Sequence, residues 1–435
     1  MLEDKGGQKN VEEKPRFALI KNVRSTNKRS YTNWFLLALF FGYQYAARSC
    51  AGTFADEIRA TFRIDADQFA DFGAWCMIAY SCLQIPFGIA LDRLGIRRLV
   101  LFSFAVCLAG NYTFTHAQTF ETARLGRLLS GIGGVPAYMS AVKWVADNFS
   151  VPSAACFIGL TRAVGSALVM IGNPLLKSCC LNGGNSWQKA VDLLNYFGSV
   201  IFFLCVVFLL RSRTSDRPTV SLRKPLLQVL TNGKIYLFGF LIIGTNTATV
   251  ALADLWGPGF LMTKYGLSPR EAVIDTQLIY GGMLLGSVVL PMVFVKNIVR
   301  GARICCVFLG IFFCIFVYGT ASFPTMLLSV FLTLTGVFSA VDMLFFALGA
   351  RLSTPQTSGL TASLMNSVGM FGEPPLQKHI GMTLHHAWNG TLSENGLHLY
   401  RTADYEYALR ILPILTCVCL VLTFFMKRSF EKKPS

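Results

Sequence analysis

Charged residues are scarce in this sequence of 435 residues. They make up 14% of the chain, whereas 53% of its residues are hydrophobic; a soluble domain usually carries about 25% charged residues. The net charge of +16 does not indicate nucleic-acid binding, because the basic residues stand in short connectors between apolar runs. The composition predicts an integral membrane protein in a lipid bilayer, with no nucleic-acid partner.

Signals of several other protein classes are also lacking. Residues 1–31 are polar and rich in Lys and Arg, with no apolar core before a small-residue cleavage site, so we expect no cleavable signal peptide. The 13 cysteines lie mostly in apolar runs, and no Cys/His spacing is typical of a metal site, so we expect neither metal nor cofactor. No cluster of nucleophile and base indicates an enzyme, and no repeated filter motif indicates a channel.

Twelve apolar runs are long enough to cross a bilayer. In chain order, these spans are 33–53, 68–91, 99–116, 124–146, 154–176, 191–210, 234–256, 273–295, 303–320, 324–350, 358–384 and 404–426. An even number places both termini on one side. Most of the 39 lysines and arginines lie in the tails and connectors on that side, so we expect both termini in the cytoplasm. We expect a monomer in a bacterial inner membrane.

One polar connector divides the chain into two halves. Residues 211–233 are rich in Arg, Ser, Thr and Pro, which is typical of a tether between two bundles. The predicted bundles of six helices are 32–210 and 234–427. Cytoplasmic tails at 1–31 and 428–435 complete the predicted organisation.

The two halves repeat each other. Span 5 contains Thr161-Arg-Ala-Val-Gly165 followed by Gly172-Asn-Pro, and span 11 contains Met365-Asn-Ser-Val-Gly369 followed by Gly372-Glu-Pro. Two further pairs, Pro86 with Pro291 and Gly131 with Gly336, recur at nearly the same offset. Two similar halves are typical of a transporter that rocks around a central site.

Two glycine- and arginine-containing motifs carry a family resemblance. The connector between spans 2 and 3 reads Gly88-Ile-Ala-Leu-Asp-Arg-Leu-Gly-Ile-Arg-Arg98, and span 4 contains Arg127-Leu-Leu-Ser-Gly-Ile-Gly-Gly134. They resemble the first and second motifs of the major facilitator superfamily, and the resemblance covers about residues 32–428. It implies an all-α membrane protein with twelve transmembrane helices in two pseudo-symmetric bundles, moving solutes by alternating access. It also implies a gating role for Gly88, Asp92, Arg93, Gly95, Arg97, Arg98, Arg127, Gly131 and Gly133.

Basic residues inside the spans of the first half indicate a solute site. Ionisable groups in a membrane are costly and normally face a cavity. Arg48 shares a helix face with Tyr45, and its place in span 1 resembles that of an arginine in sugar-phosphate and organic-anion permeases; a guanidinium suits carboxylate or phosphate. The alternative for Arg48 and Lys143 is that each reaches the membrane surface. The predicted solute-binding residues are Tyr45, Arg48, Lys143, Arg162 and Asn366.

Acidic residues stand inside spans of the second half instead. Asp254, Asp342 and Glu373 are the candidates for proton coupling, because a buried carboxylate can take up and release a proton. Two alternatives stay open. Asp342 can form a static ion pair with a first-half base, and Glu373 can cap the broken helix that precedes Pro374.

Together these features predict a secondary active transporter. We expect proton-coupled uptake of a small anionic or zwitterionic organic solute, such as an organic acid, sugar phosphate, amino acid or peptide. A facilitative uniporter, a drug or metabolite efflux antiporter and a transport-inactive solute receptor remain as alternatives. Span 5 lacks the Gly-Pro dipeptide followed by Gly-Gly of many drug exporters, which argues against drug efflux.

Overall fold

The computed structural model describes residues 28–149, 151–182, 186–209, 223–320, 324–353, 357–392 and 398–426. Within these ranges the regular elements are helices, and one isolated bridge joins Leu392 to His398. Nine helical segments of the described chain are long and apolar enough to cross a membrane. Spans 1, 4 and 11 are helical as well, and with them the described chain has the twelve predicted spans.

The first half begins with a helix that starts earlier than predicted. Its six spans are Lys28–Thr53, the two parts of Ala66–Thr115, the pair Phe120–Gly134 and Pro136–Asn148, Val151–Asn182 and Trp187–Leu209. Lys28, four residues before the predicted boundary at residue 32, already lies in this helix. A short helix, Ala55–Phe62, joins spans 1 and 2.

The second half contains most of the helix irregularities. Span 7 consists of Gly233–Ile242, Ile243–Thr247, Ala248–Ala251, Leu252–Trp256 and Gly257–Tyr265, of which the second and fourth segments are π-helical. Spans 8 and 9 are Pro269–Val293 and Ile298–Tyr318. Spans 10, 11 and 12 are each broken once, into Thr325–Ser339 and Asp342–Arg351, Ser358–Phe371 and Glu373–Ala387, and Thr402–Leu409 and Ile411–Phe424.

Several connectors are shorter than the sequence predicted. The expected connector 92–98 is a break at Gly95 alone, whose φ of 78° lies in the left-handed region that favours glycine. Residues 266–268 are all that separate spans 7 and 8, because Gly266 ends one helix at φ 64° and Ser268 starts the next. Ser268 forms a capping box with Glu271. Because of these local caps, the helices extend into segments that we had predicted to be connectors from their polar side chains.

The predicted tether is helical in its described portion. The helix Arg223–Leu230 lies within the predicted linker 211–233. Residues 210–222 lie outside the described residues, as do 1–27 and the predicted tail 428–435.

The internal repeat is also visible in the packing. A Cβ added to Gly131 in span 4 would lie 2.3 Å from the carbonyl oxygen of Cys76 in span 2. A Cβ added to Gly336 in span 10 would lie 2.0 Å from the carbonyl oxygen of Ile279 in span 8. Span 4 therefore packs on span 2 as span 10 packs on span 8. Both contacts require glycine because backbone meets backbone.

The helical bundle has two ends and an apolar outer surface. We call the end that carries residues 28, 209 and 223 the terminal end, and the end that carries the connectors 54–65, 266–268 and 388–401 the distal end. Large apolar side chains such as Phe102 and Phe203 are exposed on the outside. Such a surface suits contact with lipid rather than water.

Candidate solute site and gates

A buried ion pair joins the two halves. Arg48 of span 1 places Nη2 3.1 Å from Oδ2 of Asp254 in span 7, and these side chains are 8% and 4% exposed. The hydroxyl of Tyr280 donates a hydrogen bond to the other oxygen of Asp254. The guanidinium of Arg48 also lies over the ring of Tyr45, 4.6 Å from its centroid. The structure thus brings Tyr45 and Arg48 together, and it pairs Arg48 with one of the predicted coupling acids.

Close approach of spans 1 and 7 makes this pair possible. A Cβ on Gly52 would lie 1.9 Å from the carbonyl oxygen of Asp254. Asp254 itself lies in the π-helical segment Leu252–Trp256, and such bulges are frequent at functional sites because they redirect side chains. A glycine on one helix and a π-helical turn on the other therefore position the Arg48–Asp254 pair.

Arg127 supports the backbone of span 1 beside this pair. Its Nη1 donates to the carbonyl oxygen of Ala47 at 3.0 Å, and its Nη2 donates to that of Arg48 at 2.9 Å. The guanidinium is buried and lies 5.3 Å from the ring centroid of Phe72. Arg127 can therefore transmit a movement of span 4 to Arg48, and its gating role stays a prediction.

The two glycines of the second motif pack inside the first half. Gly131 contacts span 2, and a Cβ on Gly133 would lie 2.3 Å from the backbone nitrogen of Cys107 in span 3. Neither of these contacts crosses between the halves. A gating role for Gly131 and Gly133 therefore stays a prediction about bending within the first half.

A second ion pair joins the halves nearer the terminal end. Arg162 of span 5 places Nη2 3.0 Å from Oδ2 of Asp342 in span 10, and the side chains are 21% and 3% exposed. Asp342 is the first residue of the helix Asp342–Arg351, where a carboxylate interacts favourably with the helix dipole. This contact is the ion pair that the sequence left open as an alternative to a coupling role for Asp342.

Glu373 is buried without a direct basic contact. It is 1% exposed and is the first residue of the helix Glu373–Ala387. Its Oε1 accepts a hydrogen bond from Nε2 of Gln377 at 2.9 Å, whereas Oε2 has no hydrogen-bond partner among the described residues. Arg48 and Asp254 lie within electrostatic range. Of the three candidate acids, Glu373 alone makes no described ion pair.

Asn366 and Lys143, the remaining predicted solute-binding residues, lie in different surroundings. Asn366 donates from Nδ2 to Oε1 of Gln84 at 3.0 Å, which links span 11 to span 2 across the halves. Lys143 is half-buried on the helix Pro136–Asn148. None of the contacts described for Arg48 or Arg162 includes Lys143. A role for Lys143 in solute binding stays a prediction.

The first motif occupies the terminal end of spans 2 and 3. Arg93 and Arg98 are exposed and Arg97 is half-buried, while the side chain of Asp92 lies outside the described residues. A Cβ on Gly88 would meet no atom of the described residues within 4 Å. The motif therefore makes no close packing at Gly88 in this conformation, and its gating role stays a prediction.

Ion pairs close the distal end between the halves. Lys378 of span 11 places Nζ 2.7 Å from Oδ1 of Asp67 and 3.0 Å from Oδ1 of Asp71. His385 places Nδ1 3.2 Å from Oδ2 of Asp65. Sequence reasoning missed these contacts. Their signal is charge complementarity, since three aspartates begin span 2 and basic side chains end span 11.

The connector before span 12 adds further contacts at the distal end. Arg59 donates to the carbonyl oxygen of His398 at 3.2 Å, and the backbone nitrogen of Ala66 donates to the hydroxyl of Tyr400 at 3.2 Å. The His398 ring stacks on Trp388, with 3.6 Å between centroids. Burial lowers the pKa of His398, and the positive charge of Arg59 adds to this effect against the raising effect of Asp65.

Glycines show that the two ends differ. At the distal end a Cβ on Gly52 or Gly381 would collide with backbone of the other half, at 1.9 Å from Asp254 and 2.7 Å from Ala66. Toward the terminal end, a Cβ on Gly88 or Gly159 would meet no atom of the described residues within 4 Å. Backbone of the two halves therefore meets at Gly52 and Gly381 at the distal end, whereas Gly88 and Gly159 make no such contact with the described residues.

Comparison with known sequences identifies related transporters. The family model described as Major Facilitator Superfamily matches residues 35–373. A nitrite extrusion protein of Bacillus subtilis (strain 168) is 23% identical over 202 residues, which is 46% of this chain and 49% of the relative. The inner membrane transport protein YajR of Escherichia coli (strain K12) is 28% identical over 100 residues, 23% of this chain and 22% of the relative. The chain thus aligns with about half of the first relative and about a fifth of the second.

Solved structures share the whole fold. A bacterial homolog of the human lysosomal transporter Spinster, in an inward-facing and occupied conformation, superposes with a TM-score of 0.70 at 15% identity, covering 95% of this chain and 100% of that one. The nucleoside transporter NupG gives a TM-score of 0.66 at 14% identity, covering 91% and 99%. At such low identity these likenesses show the architecture of two six-helix bundles and nothing about the solute.

Proposed function

Because this chain belongs to the major facilitator superfamily, we propose that it is a secondary active transporter for a small anionic or zwitterionic organic solute. One observation carries the proposal. Arg48, which is buried, and Arg162, which is partly buried, are bases of the first half that meet the buried acids Asp254 and Asp342 of the second half between the two bundles. Ionisable groups at this depth mark solute and ion pathways.

The unequal ends of the bundle support alternating access. Contacts between the halves that consist of ion pairs and glycine packing can break as units when two rigid bodies rock. At the distal end the halves are joined by Lys378 with Asp67 and Asp71 and by the packing at Gly52 and Gly381, whereas Gly88 and Gly159 near the terminal end make no close contact with described atoms. With the predicted cytoplasmic termini, this difference supports an inward-facing state as part of the proposal.

Unused donors on both arginines support the solute class. Besides its aspartate, Arg48 directs Nη1 to the sulfur of Met77 at 3.7 Å, and Arg162 directs Nη1 to the sulfur of Met343 at 3.9 Å. A thioether is a weak acceptor. Each guanidinium therefore keeps donors that suit a carboxylate or phosphate oxygen. A relative whose name refers to extrusion of nitrite, an anion, agrees with this class.

Glu373 is the best candidate for the coupling proton. An ionised carboxylate is costly to bury unless a base pairs with it, and taking up a proton removes that cost. Asp254 and Asp342 each have an arginine in contact, whereas Glu373 has only the amide of Gln377 among its described hydrogen bonds. Access of Glu373 to opposite sides in the two conformations then couples the proton to the solute.

Transport by the purified protein in proteoliposomes tests the proposal. A panel of organic acids, amino acids, dipeptides and sugar phosphates is added outside, while a trapped pH-sensitive dye reports the internal proton concentration. We expect internal acidification with at least one solute. Solute flux without proton movement would indicate a uniporter, proton release coupled to solute entry an antiporter, and binding without flux a receptor.

A further inference from the structure

We propose that Arg162 and Asp342 together bind the two charges of a zwitterionic solute, an α-amino acid with an apolar side chain. This proposal rests on the proposed function and narrows its solute class. The carboxylate of the amino acid contacts Arg162, and its ammonium group contacts Asp342. The Arg162–Asp342 ion pair stays formed, since Arg162 has further hydrogen-bond donors and Asp342 has a second acceptor oxygen.

Both members of this pair are only half satisfied. Oδ2 of Asp342 takes the contact from Arg162 at 3.0 Å, while the buried Oδ1 has no side-chain partner among the described residues; the carboxylate also interacts with the backbone N–H groups of Asp342 and Met343 at the start of its helix. Nη1 of Arg162 has the Met343 sulfur at 3.9 Å. A buried unpaired acceptor costs stability unless a donor arrives. An acceptor, Oδ1 of Asp342, and donors on Nη1 of Arg162 are therefore both available within one ion pair.

The other cross-half pair lacks this property. Oδ1 of Asp254 accepts a hydrogen bond from the hydroxyl of Tyr280, and Oδ2 lies 3.1 Å from Nη2 of Arg48 in the ion pair, although it has no hydrogen-bond partner among the described residues. Arg48 is 8% exposed, whereas Arg162 is 21% exposed. A solute that reaches the interface from the terminal end therefore finds an open pair at Arg162 and a closed one at Arg48.

Arg162 is partly exposed, at 21% of its side-chain surface. Gly159 precedes Arg162 by three residues, so the two share one face of the helix. A Cβ on Gly159 would meet no atom of the described residues within 4 Å. No described atom therefore packs closely against span 5 at Gly159, next to Arg162 on that face.

The geometry of an α-amino acid matches the pair better than a single charge does. Its two charged groups are attached to one carbon, so they can reach adjacent partners such as Nη1 of Arg162 and Oδ1 of Asp342. A simple anion leaves that acidic oxygen unsatisfied, and a simple amine leaves the guanidinium donors unsatisfied. Tyr138, which interacts electrostatically with Arg162, packs against Phe41 with 5.1 Å between centroids. These rings offer contact to an apolar side chain.

Ligand-induced thermal stabilisation of the purified protein tests this inference. Each probe set contains an amino acid, the acid that lacks its amine and the amine that lacks its carboxylate. One set is L-leucine, isocaproate and isoamylamine, and another is L-phenylalanine, hydrocinnamate and phenethylamine. We expect stabilisation by at least one amino acid and at least about tenfold weaker apparent affinity for its two single-charge analogues, the loss expected for one charge-assisted hydrogen bond.

Three variants separate binding from folding. Arg162→Gln and Asp342→Asn should each abolish stabilisation by the amino acid, while Asp275→Asn, a buried aspartate bonded to Ser329 elsewhere in the second half, should keep it. If the single variants do not fold, the reversed pair Arg162→Asp with Asp342→Arg restores the ion pair and should still prefer a zwitterion to both analogues.

Equal stabilisation by isocaproate and L-leucine, or no stabilisation by either amino acid, would overturn the inference. The proposed function has a separate readout. Proton-coupled flux of a simple organic acid would leave that function standing while the zwitterion site fails. Absence of flux for every solute, with amino-acid binding intact, would leave the zwitterion site standing while the proposed transport function fails.

Discussion

Adding one methyl group at Gly52 should prevent the distal end from closing. The new Cβ would lie 1.9 Å from the carbonyl oxygen of Asp254 and 2.9 Å from Cα of Leu255. These are backbone atoms, so they cannot rotate away as a flexible side chain does. Restoring an ordinary contact of 3.4 Å requires spans 1 and 7 to separate by about 1.5 Å, the difference from 1.9 Å.

The cost of this overlap predicts the size of the effect. Overpacking of a tight contact typically costs about 1–3 kcal/mol. Because the overlap exists only while the distal end is closed, the cost should shift the balance between closed and open forms about 5- to 150-fold toward open. Gly52→Ala should therefore fold and insert normally but spend most of its time open at the distal end, and transport should slow accordingly.

Distance measurements between spin labels report this shift. Labels at Ala60→Cys and Leu399→Cys, both exposed at the distal end, are introduced into a background without other cysteines. We expect longer distances in Gly52→Ala than in the parent protein. The matched control is Gly172→Ala, where a Cβ meets no described atom within 4 Å, and it should keep the parental distribution. An unchanged distribution in Gly52→Ala would refute the claim that this contact closes the distal end.

Three further predictions concern the gates. Burial lowers the pKa of His398, so the neutral ring stabilises the closed distal end above about pH 6.5. This contribution is lost as the pH falls through the lowered pKa. The distance between the spin labels should therefore lengthen on acidification, and His398→Phe should remove that part of the response. Lys378→Glu should open the distal end, because the new carboxylate is repelled by Asp67 and Asp71. Adding Asp67→Lys to this variant should restore closure. If it does not, the two charges do not act as a pair. Asp92→Asn should reduce the transport rate more than the surface expression, and normal flux at normal expression would argue against the predicted latch.

The repeated glycines show how much of the fold could be predicted from the sequence. Gly165 in span 5 and Gly369 in span 11 occupy matching positions in the two halves. A Cβ on Gly165 would lie 2.4 Å from the ring of Phe41 in span 1, and a Cβ on Gly369 would lie 2.6 Å from Ile242 in span 7. A glycine that recurs at a constant offset marks a helix crossing that the duplication has kept. Such positions carry packing information in the sequence itself, because a larger residue would force the neighbouring side chain to move.

Helix ends and side-chain partners were harder to predict. The extension of span 7 to Tyr265 depends on the cap at Gly266, a local backbone geometry that hydropathy does not register. The sequence assigned bases to one half and acids to the other, but Arg48 and Asp254 meet only through the docking of two bundles. For the same reason sequence reasoning favoured Asp342 over Glu373 as the coupling residue, whereas our proposal of Glu373 rests on the arginine that contacts Asp342 and not Glu373.

Uptake and exchange by Glu373→Gln test whether Glu373 carries the coupling proton. Glutamine mimics the protonated acid, so a carrier loaded on both sides can still cycle, although no proton gradient can be used. In proteoliposomes, with a solute that the parent protein accumulates, we expect exchange of preloaded solute to persist while accumulation driven by a pH gradient is lost. Accumulation by Glu373→Gln to the level of the parent protein would contradict this expectation.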